Sequence, residues 1–92
     1  MAQVIVTLKI MPESVDIDLS KITEEAKNKI TDFAGAGEMK VEEKPIAFGL
    51  KALNIIFVMD ESKGSTDDLE DSISDIQGVQ SVEVTDVRRA VG

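Results

Sequence analysis

Hydrophobic and polar positions along this chain switch between two periods. From Gln3 to Ile10 they alternate in twos: Val4, Val6, Leu8 and Ile10 share one side, while Gln3, Thr7 and Lys9 share the other, with Ile5 out of pattern. This is a strand with one buried face, and Pro12 is expected to stop it. Asp16 and Asp18 then offer side-chain oxygens to cap a helix. Leu19, Ile22, Ala26, Ile30 and Phe33 recur at three- and four-residue steps, an apolar stripe, with Glu24, Glu25, Lys27 and Lys29 on the wet side. Gly35 and Gly37 end that helix.

A weaker strand is expected over Glu38 to Ala47. Its charges and Pro45 suit an edge, where they discourage pairing with another molecule. Leu50 to Met59 is apolar on both faces and reads as a central strand. Asp60 to Gly64 is a polar loop. Ser65, with Asp68 three residues on, resembles a capping box, so a second helix should begin within two residues of Ser65. Leu69, Ile73 and Ile76 are its stripe, Gly78 closes it, and Val79 to about Val87 is a last strand. The order is β-α-β-β-α-β. Right-handed crossovers place both helices on one face of a four-stranded antiparallel sheet, the α+β ferredoxin-like plait.

Ninety-two residues suit one domain, over 1–92, with a two-layer core and no deep enclosed active site. No run of eighteen apolar residues exists to span a membrane. The segment Met1-Ala2-Gln3-Val4-Ile5-Val6 has no basic stretch before its apolar run, so it reads as a strand and not as a signal peptide. The chain has neither cysteine nor histidine. Disulfides, thiolate metal sites and the usual nucleophile-and-base pairs are therefore excluded, and a cytoplasmic setting is expected. The formal charge of −8 opposes sequence-independent binding to nucleic acid and steers the domain toward basic protein surfaces.

Other constellations reduce to structure. Gly35-Ala36-Gly37 lacks the third glycine of a dinucleotide loop, and Asp67, Asp68, Glu70 and Asp71 fail the calcium-loop spacing. Acids there suit the positive end of a helix dipole. No cofactor and no resident metal is expected. RNA-binding plaits need aromatic residues on adjacent central strands, whereas this chain has no tyrosine or tryptophan and its three phenylalanines are scattered. One block stands out: Lys44-Pro45-Ile46-Ala47-Phe48-Gly49-Leu50-Lys51-Ala52-Leu53. It reads as a strand end, a turn with an aromatic ring at its tip, and the start of the apolar strand. Such a ring either enters a partner's pocket or packs into its own core.

This block, from Pro45 to Leu53, resembles the PxxFGxKxL segment of the guanine-nucleotide exchange domain of the elongation factor 1 beta family, in its archaeal form. Three further stretches match in order: Val4-Ile5-Val6-Thr7-Leu8 with Pro12, Asp60 to Leu69, and Val79-Gln80-Ser81 leading to Arg88-Arg89. The likeness covers the whole chain, without the N-terminal extension of eukaryotic members. It implies a factor that promotes GDP release from the elongation factor 1 alpha GTPase, with no covalent chemistry, acting as a monomer when free.

The resemblance also implies roles for residues. Phe48 would enter a hydrophobic pocket of the GTPase. Gly49 and Lys51 beside it, and Lys63 in the acidic turn, would be further partner-binding residues. Eukaryotic members place a near-terminal lysine in the GTPase magnesium site. The ungapped match puts Arg89 there, and a slip of one residue would choose Arg88. Arginine for lysine, followed by Ala90-Val91-Gly92, departs from that form. Both arginines can also be read as a solvated strand end. A small-ligand regulatory plait and an RNA-associated plait remain the alternative classes.

Overall fold

The computed structural model describes residues 3–35 and 37–89. Ala36, the terminal Met1-Ala2 and the closing Ala90-Val91-Gly92 lie outside them. Strand β1 (Gln3–Pro12) leads to helix α1 (Leu19–Ala34), strands β2 (Met39–Pro45) and β3 (Lys51–Asp60), helix α2 (Asp67–Ser74) and strand β4 (Val79–Arg89). All pairings are antiparallel, in the spatial order β2-β3-β1-β4. This is the expected plait, with β1 and β3 central and the charged β2 at an edge.

Alternation decides the two faces of the sheet. Val6, Leu8 and Ile10 of β1 and Leu53, Ile55, Phe57 and Met59 of β3 point to one side and are buried. Ile22, Ala26 and Ile30 of α1 and Leu69 and Ile73 of α2 close over them in one apolar cluster. The opposite face carries Ile5, Thr7, Lys9, Asn54, Ile56 and Val58, with no helix across it.

Pro12 ends β1 as expected: it is the last residue of the strand, opposite Val79 beyond a bulge, where its missing N–H disturbs little of the ladder. Several other local expectations are corrected. Asp18 alone caps α1, accepting from the Ser20 N–H at 2.9 Å. Asp16 lies in a preceding turn, where its N–H donates to Ser14 Oγ. Strand β2 ends at Pro45, not Ala47, because the chain already turns at Ala47.

Ser65 does not form the expected box with Asp68. Its hydroxyl accepts from the Asp67 N–H at 3.1 Å, a two-residue turn. Thr66 takes the cap position and donates to the Glu70 carboxylate at 2.9 Å. The helix still begins two residues after Ser65. Ile76 falls past its end and is buried all the same, in the tight turn that leads to Gly78 and β4.

Candidate functional site

The chain between β2 and β3 turns through Ala47-Phe48-Gly49-Leu50. The Leu50 N–H donates to the Ala47 carbonyl at 3.2 Å, and the Ile46 N–H to the Leu50 carbonyl at 2.8 Å. Both central residues have positive φ, 61° at Phe48 and 77° at Gly49. Those angles and the Ala47–Leu50 bond are those of a type I′ turn, set at the tip of the connection that joins the last strand pair, Pro45 and Lys51. Glycine suits the second position. The first usually holds asparagine, aspartate or glycine, and here it holds phenylalanine, which makes Phe48 the only non-glycine with positive φ among the described residues.

The ring gains nothing from its own fold in return for this strain. Phe48 is 95% exposed, against 2% for Phe57 in the core. A large apolar ring held in water on an unfavourable backbone is the kind of outlier that points to a contact outside the chain. Its own-core alternative does not describe this structure. Val15 adds to the feature: it is 59% exposed, and a methyl built on Gly49 would lie 3.7 Å from its Cγ1. With Gly49 and Lys51 it lines a shallow groove between the hairpin and the start of α1. Sequence reasoning missed Val15, whose one signal was an apolar residue alone in the polar loop Glu13-Ser14-Val15-Asp16.

Arg88 and Arg89 close β4 and point to opposite faces. Arg88 lies opposite Ile5 on the open face of the sheet, and its Nε forms an ion pair with Asp86 Oδ2 at 2.8 Å. Arg89 lies opposite Val4 on the helix-covered side. Its Nη2 donates to both carboxylate oxygens of Glu61, at 2.9 and 3.3 Å. Glu61 opens the short 3₁₀ turn Glu61–Lys63 that follows β3. Asp60 builds that turn by accepting from the Ser62 N–H at 2.8 Å. This bond, with help from the Ser62 hydroxyl, holds the Asp60 carboxyl below its ordinary value of 3.8. Glu61 was also missed from the sequence, where it is one acid among many.

The residues singled out from the sequence therefore form two groups. Phe48, Gly49 and Lys51 stand at one end of β3. Lys63, Arg88 and Arg89 stand at the other. Ten residues of strand separate the ends, about 30 Å at the rise of a β-strand. The long axis of the chain is 42 Å, so these groups sit near its two poles. The open face between them has no aromatic side chain, and it mixes Lys9 and Lys40 with Glu42, Glu83 and Asp86. Among the described residues no group of histidine, cysteine or carboxylate side chains could hold a metal ion, and no helix is long and apolar enough to cross a membrane.

Known proteins share this chain at close to full length. Residues 5–90 match the model of the EF-1 guanine nucleotide exchange domain. The elongation factor 1-beta of Methanothermobacter thermautotrophicus is 46% identical over 89 residues, covering 97% of this chain and 98% of that protein. That of Methanosphaera stadtmanae is 47% identical over 89 residues, with the same coverage. The elongation factor 1-beta of Staphylothermus marinus, a more distant relative, is 40% identical over 90 residues, covering 97% and 98%. An exposed aromatic hairpin at one pole and a pair of arginines at the other are thus features of a chain that belongs to the elongation factor 1 guanine-nucleotide exchange domain family.

Proposed function

We propose that this chain promotes GDP release from an elongation factor 1 alpha type GTPase, so that GTP can replace it. The observation that carries the reading is Phe48, a bare aromatic ring on a strained hairpin tip, in a chain of the exchange-domain family. No bond is made or broken. The factor lowers the barrier to nucleotide dissociation by binding the GTPase better without its tightly held nucleotide than with it.

Two contacts divide the work. At one pole, Phe48 enters an apolar pocket on the GTPase and Val15 packs beside it. Gly49 holds the ring outward, and Lys51 supplies a positive rim. Burying a phenylalanine ring contributes roughly 2–3 kcal/mol, enough to anchor a transient complex. At the other pole, about 30 Å away, Arg89 brings a fixed positive charge toward the magnesium site of the GTPase. A guanidinium there repels the ion that clamps the β-phosphate, and loss of the clamp frees the nucleotide. Lys63 stands on the same end and favours the same acidic surroundings. With the contacts so far apart, the ring and the cation reach different parts of the partner.

The factor works as a monomer in the cytoplasm, with no cofactor of its own and no nucleic-acid contact. Acidic groups on the open face and the absence of aromatic residues there favour a protein partner over RNA. The test is direct. Catalytic amounts of the chain are added to the GTPase loaded with fluorescent GDP, with excess GTP present. Release should accelerate in proportion to factor concentration. A release rate that stays flat across the series rejects the proposal.

A further inference from the structure

We infer that Glu61 is a latch on Arg89, restraining the cation in the free factor and releasing it only when the GTPase engages. The inference rests on the exchange reading above and adds a residue to it. The geometry is specific. Strands β4 and β3 are not neighbours, since β1 lies between them. The Arg89 side chain crosses the start of β1 to reach the turn beyond β3. There one nitrogen, Nη2, meets both oxygens of Glu61 at 2.9 and 3.3 Å. Glu61 cannot easily follow the arginine away, because Asp60 and the Gly64 N–H bond to the Glu61 carbonyl hold its turn in shape.

Electrostatics then makes the paired state inactive. A guanidinium with a carboxylate 2.9 Å away presents almost no net charge to a cation a few ångströms further on. Worse, the carboxylate itself would attract a magnesium ion. To expel the metal, Arg89 has to exchange Glu61 for the acidic surroundings of the partner's site. The latch is weak enough to allow this: both side chains are largely exposed, at 74% and 47%, and exposed pairs contribute little. It acts as a tax on engagement, and on wrong partners that lack a competing acidic site.

The test compares Glu61→Gln, Arg89→Ala and the double variant as exchange factors on GTPase loaded with fluorescent GDP, at low ionic strength and millimolar magnesium. Glu61→Gln keeps the side chain's shape and leaves the Asp60-built turn intact. It should raise the exchange kcat/KM by about 1.4- to 5-fold, the range for an exposed ion pair. The gain should fade at high salt and vanish in the Arg89→Ala background. Loss of an acidic charge by itself would slow steering toward a basic surface, so the expected sign is opposite to that trivial effect. A Glu61→Gln rate equal to or below the parent overturns the latch while leaving the exchange reading intact. An equal gain with and without Arg89 overturns it as well. If Arg89→Ala retains full activity, the cation role fails and the latch has nothing to restrain. Nitrogen-15 spectra of the Arg89 guanidinium give an independent readout: hindered rotation in the free factor should be relieved by Glu61→Gln, and an unchanged spectrum contradicts the pair.

Discussion

Phe48 offers a substitution that should make the fold better and the factor worse. At φ 61° an L-residue with a side chain carries roughly 1–2 kcal/mol of strain. Glycine adopts the same backbone without it, although its freer unfolded chain returns roughly 0.5–1 kcal/mol. Because the ring is 95% exposed, removing it opens no cavity. Phe48→Gly should therefore stabilise the domain by about 0.5–1 kcal/mol, a rise of about 2–8 °C in Tm for a domain of this size. Phe48→Ala keeps the strain and should leave Tm nearly unchanged.

Exchange should move the other way. Losing an anchor of roughly 2–3 kcal/mol lowers kcat/KM by about 30- to 140-fold in both variants. Thermal unfolding followed by circular dichroism, read beside fluorescent-GDP release on the same samples, separates the two effects. A buried phenylalanine lost to alanine would destabilise by about 3–5 kcal/mol. If either variant shows a fall of that size, the ring is part of the fold and the reasoning fails. If exchange persists at parental rate in a stable variant, the ring is not the anchor.

Five further outcomes are expected. Arg89→Ala should slow exchange sharply at millimolar magnesium and far less under chelation, because chelation removes the same ion. Arg88→Ala, on the opposite face and paired with Asp86, should do less in the same assay. Raising ionic strength should slow complex formation of a factor with a formal charge of −8, as read by stopped-flow binding. Leu8→Ala, at a fully buried position, should destabilise by about 2–5 kcal/mol in denaturant titrations. Asp60 titrates below its ordinary value of 3.8, so its ionised form stabilises the folded turn above that value. The contribution is lost as pH falls through the lowered value, and amide signals of Ser62 should broaden there first.

The alternation of Val4, Val6, Leu8 and Ile10 and the stripe Ile22-Ala26-Ile30 are local patterns. A period of two or of 3.6 leaves one buried face whatever lies across from it, so the element order and the core were legible in the residues themselves. Handedness of the crossovers did the rest, which is why the plait followed. The boundaries that failed were set by single competing bonds. Asp16 and Asp18 are equally good caps on paper, and the fold uses Asp18 while Asp16 sits in the turn before it. Ser65 and Thr66 compete in the same way at α2.

The candidate site was legible as a set of residue types and not as an arrangement. Phe48 beside Gly49 announced a turn, but whether its ring turned inward or outward depended on the sign of φ, which the folded turn sets. Val15 and Glu61 belong to the candidate surfaces because of what folds against them, a hairpin from 34 residues later in one case and the end of β4 in the other. Those distances in sequence carry no local signal. Even the separation of Phe48 from Arg89 is a tertiary fact: pairing of β1 with both β3 and β4 carries the end of β4 to the end of the sheet farthest from the hairpin. Short-range patterns determined which side chains are apolar, charged or turn-forming. Long-range strand pairing decided which of them meet.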